Sequence, residues 1–135
     1  MAHALVVYTP PDSTFAYDWQ AVERGVPLSA LEEFSAHSGF PVKALLDVVI
    51  PARTLKHRRQ RNEPLSIEEA DRLRRVARTY ELTLKVFGSP ADARQWMTAR
   101  MRRFEDRMPM ALLRTQAGEE AVQEALIQID EGMYI

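Results

Sequence analysis

Cysteine is absent from this 135-residue chain, which excludes a disulfide framework, a thiol nucleophile and any cysteine-ligated zinc or iron–sulfur centre. Long apolar runs are absent too. The longest extend a few residues, against the roughly 20 that span a bilayer, and the start, MAHALVVYTPPDS, has neither a basic stretch nor a long apolar one. Membrane insertion and export are not expected, and a reducing cytoplasm is the expected location. No segment sustains alternation with β-branched enrichment, so a sheet is not expected. Enzyme signatures are missing as well. There is no glycine-rich phosphate loop and no HExxH, and His3, His37 and His57 stand at no paired-ligand spacing. Glu32/Glu33 and Glu119/Glu120 are adjacent, which sends their carboxylates to diverging helix faces rather than into an acid/base couple. The sequence predicts neither catalysis nor a metal or cofactor.

What is present is a globular composition, 46% apolar and 27% charged, with a formal net charge of −1. The length suits one compact domain or two small ones sharing a core. The small net charge conceals a strong division. Residues 1–52 carry −4, residues 53–107 carry +7, and residues 108–135 carry −4. A basic middle between two acidic ends suggests two kinds of partner.

Capping and periodicity predict an all-α fold of about seven helices. The first fourteen residues, with Pro10, Pro11, Asp12, Ser13 and Thr14, read as an extended arm. A short helix from Phe15 to Arg24 stops at Gly25. Ser29 and Glu32 form a capping box for a helix ending near Ser38-Gly39. Pro41 suits the first turn of a helix Val42 to Val48, and Pro51 opens Ala52 to about Arg61 in the same way. Ser66-Ile67-Glu68-Glu69 is a second capping box, and Gly88 lies about six turns later. Between them Ala70, Leu73, Ala77, Tyr80, Leu84 and Phe87 make one apolar stripe, with Arg72, Arg74, Arg75 and Arg78 on other faces. Ser89-Pro90 and Asp92 start a helix through Trp96 and Met97. Met101 to Pro109 is looser. Thr115 caps a last helix to about Glu131, striped by Val122, Leu126, Ile129 and Met133.

Pro41 to Gln60 has the spacing of a helix-turn-helix, in which Ala44, Val48, Ile50 and Leu55 lock two helices at a fixed angle. The second helix then turns Pro51, Ala52, Arg53, Lys56, His57 and Gln60 toward a major groove, while Arg58, Arg59 and Arg61 add charge for the phosphate backbone. Two features depart from that motif: Val49 stands where the tight turn prefers glycine, and Leu45 is larger than usual. The plainer reading of KHRRQR is a solvated basic helix end. Asp130 and Glu131 pose the opposite problem, acids at a helix C-terminus that the macrodipole disfavours. They are either ordinary exposed acids or, with Met133, Tyr134 and Ile135, an anchor for a basic pocket on a partner.

Two stretches resemble one family, the Xre/MbcA/ParS antitoxins that pair with RES-domain toxins. IPARTLKHRRQRNEPLSIEEADRLRRVARTYELTLKVFGSPADARQWM, residues 50–97, resembles its Arg-Thr-Leu recognition segment with paired arginines, then Leu-Ser, Arg-Leu and a Phe-Gly before an Ala-x-x-Trp helix. MPMALLRTQAGEEAVQEALIQIDEGMYI, residues 108–135, resembles its C-terminal toxin-binding box, Pro-x-x-Leu-Leu-x-Thr-x-x-Gly followed by a helix. The resemblance spans roughly residues 29–135. It departs at RRFEDR, where the family often has a Pro-Asn and glycine-rich link.

The resemblance implies three parts: an N-terminal arm and short helix (1–28), an Xre-like helix-turn-helix domain (29–88) and a small helical toxin-binding domain (89–135). It implies a RES-domain toxin partner with an ADP-ribosyltransferase-like fold that consumes NAD or uses it to modify a target. The antitoxin's last helix and tail would block the NAD pocket. The toxin-binding residues carried over are Leu112, Leu113, Thr115, Gly118, Val122, Gln123, Leu126, Asp130, Glu131, Met133, Tyr134 and Ile135. Operator binding for autorepression is implied too, through Arg53, Thr54, Lys56, His57, Arg58, Arg59, Gln60 and Arg61, as a homodimer or a toxin–antitoxin hetero-oligomer. A standalone helix-turn-helix repressor and a small hydrolase with an unrecognised site are the competing readings. The former leaves the Leu112–Gly118 box without a task, and the latter lacks convergent titratable groups.

Overall fold

Side-chain caps start four of the helices in the computed structural model, which describes residues 18–132. Among the described residues there are eight α-helices: α1 Trp19–Arg24, α2 Ser29–Ser38, α3 Val42–Leu45, α4 Ala52–Arg61, α5 Ile67–Phe87, α6 Pro90–Met97, α7 Pro109–Leu112 and α8 Gln116–Asp130. Among the described residues a 3-10 turn at Arg102–Phe104 and two isolated bridges complete the order, with no strand. The expected arm, the start of the first helix at Phe15, and Met133, Tyr134 and Ile135 lie outside the described residues.

The box at Ser66 forms as expected: its hydroxyl accepts from the Glu69 N–H at 3.1 Å, and the Glu69 carboxylate accepts from the Ser66 N–H at 2.8 Å. Gly88 closes α5 with φ 84°, a left-handed residue that glycine adopts without a Cβ penalty. Thr115 caps α8 by accepting from the Gly118 N–H at 3.0 Å, and Ser89 caps α6 by accepting from Asp92 N–H. The box expected at Ser29 does not form. Pro27 and Leu28 already supply the carbonyls that Ala30 and Leu31 need, so Ser29 lies inside the helix and Glu32 is free to pair with Arg59.

Two further boundaries differ from expectation. The helix expected to reach Val48 ends at Leu45, because Asp47 takes φ 71° and breaks the turn. That residue supplies the left-handed conformation of the helix-turn-helix bend, so Val49 needs no glycine geometry and is instead buried at 1% exposure. RRFEDR resolves in the same way. Glu105 and Asp106 sit at φ 57° and 63°, taking the role of a glycine link. Their loop closes on a bridge between Met101 and Arg107.

α5 is the shared spine, packing against α1, α2, α6 and α8. Its stripe residues Ala70, Leu73, Ala77 and Tyr80 are buried together with Leu31, Phe34, Leu55, Met97, Leu113, Val122 and Leu126 in one cluster. Phe34, Phe40 and Tyr80 meet edge-on or stacked at 5.8–6.5 Å, and Phe87 lies against Trp96 at 5.8 Å. A single core therefore runs from α1 to α8. Among the described residues no helix is long and apolar enough to cross a membrane.

Candidate functional site

The recognition segment stands out from its surroundings by how little of α4 is buried. Leu55, at 4% exposure, is the only residue of α4 in the core. It anchors the helix, and the rest is solvent-facing. Pro51, Ala52, Arg53, Lys56, His57, Gln60 and Arg61 are exposed, with Thr54 half-buried. No ion pair engages Arg53, Lys56 or Arg61 among the described residues. Their charge is therefore available to a polyanion.

Arg58 and Arg59 are placed differently. The Arg58 guanidinium forks onto Glu69, Nε to Oε1 at 3.2 Å and Nη2 to Oε2 at 3.1 Å, with Glu63 at 3.5 Å. Burial alone would push the Glu69 carboxyl up, but the Arg58 fork and the Ser66 N–H outweigh it and hold that carboxyl below its ordinary range. The same pairing raises Arg58. Arg58 thus fastens α4 to the start of α5. Arg59 is exposed and pairs with Glu32 at 2.8 Å, a contact that salt or a ligand can displace.

The C-terminal residues divide in the same manner. Leu113, Val122 and Leu126 have no exposed surface and Gln123 has 8%; they pack into the chain's own core and fix the position of α8. Leu112 is half-buried, while Thr115, Asp130 and Glu131 are exposed. Gly118 serves the backbone: a Cβ there would run into the Leu112 carbonyl, so the α7–α8 turn closes only around glycine. Glu119 is buried at 3% exposure. Arg78 forks onto it, and Arg75 lies 3.8 Å away while donating to the Leu113 carbonyl at 3.0 Å and to Asp71 at 2.8 Å. In the sequence Glu119 is one of two adjacent carboxylates, and nothing local signals Arg78, 41 residues away.

The sequence also gives no sign of an open cleft of about 560 Å³ between the helix-turn-helix bend and the α7–α8 turn. It is walled by Asp47, Val49 and Pro51 on one side, Arg72 on α5, and Arg107, Leu112, Arg114, Thr115 and Gly118 on the other. No group of three or more His, Asp or Glu side chains is placed to hold a metal among the described residues.

These two surfaces correspond to two recognised modules. Residues 20–78 match the antitoxin Xre-like helix-turn-helix domain, and residues 84–132 match the antitoxin Xre/MbcA/ParS C-terminal toxin-binding domain. The chain is 36% identical over 134 residues to the antitoxin Xre of Pseudomonas putida, covering 98% of this chain and 76% of that protein. It is 23% identical over 116 residues to the antitoxin Xre of Yersinia enterocolitica, covering 84% and 78%. With both modules in this order along one core, and a relative at that identity matched over 98% of this chain, the chain belongs to the Xre antitoxins, a helix-turn-helix domain joined to a C-terminal toxin-binding domain.

Proposed function

We propose that the chain neutralises a RES-domain toxin by covering its NAD pocket with α8 and the residues beyond it. The observation that carries this reading is the exposed acidic end of α8, Asp130 and Glu131, inside the stretch matched to the toxin-binding domain. A pocket that binds the NAD pyrophosphate is electropositive, and acids held at the end of a core-anchored helix complement it. Such a pocket would offset the unfavourable place of Asp130 at a helix C-terminus. Buried Leu113, Val122, Gln123 and Leu126 hold the helix in place.

The exposed row Arg53, Lys56, His57, Gln60 and Arg61 supports operator binding by α4 and repression of the chain's own operon. Co-expression with the product of the neighbouring gene tests the first role. Rescue from growth arrest and preserved NAD levels are expected with the intact chain, and loss of both with Asp130→Lys/Glu131→Lys or with residues 132–135 removed. Full rescue by those variants would overturn the pocket-covering model, and failure to co-purify would leave a standalone repressor.

A further inference from the structure

We infer that the cleft between the bend and the α7–α8 turn is a phosphate-binding extension of the DNA interface, contributed in part by the C-terminal domain. The inference rests on operator binding by α4. Three guanidiniums line the cleft, Arg72, Arg107 and Arg114, against one carboxylate, Asp47. Elsewhere Arg58, Arg59, Arg75 and Arg78 are paired with carboxylates; among the described residues none of the cleft's three is. Arg72 donates Nε to the Val49 carbonyl at 3.5 Å and Arg107 donates Nη2 to the Ala111 carbonyl at 3.5 Å. Each is steadied by backbone and keeps its other donors for an anion.

Location identifies the anion. Pro51 is both a wall of the cleft and the N-cap of α4. A recognition helix enters the major groove by its N-terminal end, so the surface flanking that end faces the phosphates along the groove's edge. A protein partner fits less well. The proposed toxin surface is electropositive, and it is met by acids at the far end of α8, which Thr115 at the cleft end and Asp130 at the acidic end bound. Two basic surfaces would repel. The charge division along the chain thus becomes a division along α8, with phosphate at its start and a basic pocket at its end.

The test measures affinity against salt for the full chain, using a labelled duplex from the region upstream of its gene and a scrambled 30-base-pair duplex. Arg107→Ala and Arg114→Ala are each expected to lower the slope of log affinity against log salt by about 0.9, and the double variant by about 1.8. Both duplexes should be affected equally, since phosphate contacts carry no sequence information. Arg107→Lys and Arg114→Lys are expected to keep the slope, and unchanged thermal unfolding shows that the alanine variants fold. Slopes equal to that of the intact chain overturn the cleft, provided Lys56→Ala lowers its own slope. An intact chain that binds neither duplex overturns the DNA reading and the cleft with it. Unchanged DNA binding with lost toxin neutralisation assigns the cleft to the protein partner instead.

Discussion

Arg78 grips Glu119 with two charge-assisted hydrogen bonds, Nε to Oε2 at 2.8 Å and Nη2 to Oε1 at 2.7 Å, and so ties the spine helix to the first turn of α8. Glu119→Gln leaves Arg75 and Arg78 facing a neutral amide in a site with little water. It is expected to cost about 3 kcal/mol, read as a lower urea midpoint with an unchanged m-value.

The Arg58–Glu69 pair makes stability depend on pH. Because Glu69 titrates below its ordinary range in the folded chain, it binds its proton more readily when unfolded. Its contribution is therefore complete above the unfolded value, around pH 4.5, and is lost as pH falls through the lower folded value. Glu69→Gln is expected to cost about 2 kcal/mol at pH 7, and the gap from the intact chain should narrow steadily in denaturation curves taken at successively lower pH below the ordinary carboxylate range.

Neighbouring cations on α4 should separate cleanly by assay. Arg58→Ala is expected to destabilise by about 2 kcal/mol through the carboxylate left unpaired. Lys56→Ala should leave unfolding within about 0.5 kcal/mol of the intact chain while reducing the salt slope of DNA binding by about 0.9.

At the bend, Val49→Gly is expected to destabilise by about 3 kcal/mol, since it empties a buried position and loosens the chain. Asp47→Gly places glycine where the positive φ lies and is expected to be neutral or stabilising by up to about 1 kcal/mol. Thermal unfolding of both variants separates the two positions.

Gly118→Ala drives a methyl into the Leu112 carbonyl. The α7–α8 turn must open, at an expected cost of about 2 kcal/mol. Toxin neutralisation should fall with it, measured as growth rescue at matched protein levels.

The helices with paired start and stop signals were legible in the sequence. Ser66 to Gly88 and Thr115 each combine a cap with a periodic stripe, and Ser89-Pro90 adds Asp92 to its cap, so local chemistry and structure agree. Ser29 misled because its capping pattern is local, whereas the helix start is set by the carbonyls of Pro27 and Leu28. The bend misled because a left-handed residue can be Asp47 as well as glycine. At the candidate site, the exposed row of α4 followed from spacing around Leu55. The split roles of Arg58 and Arg59, the burial of Glu119 and the arginine cleft did not, since each depends on partners that only the fold brings close. KHRRQR reads as one basic block, yet the structure divides it between a structural clamp and a free surface.

Because one cluster of side chains runs from Leu31 and Leu55 through α5 to Val122 and Leu126, the two modules cannot be lost separately. A protease that removes α8 takes away the helix packed against α5 and the Glu119 that Arg78 grips, and so loosens the spine to which Arg58 fastens α4. If the proposed operator binding holds, degradation from α8 onward would release a bound toxin and an occupied operator in the same event, coupling the state of the protein to the output of its gene.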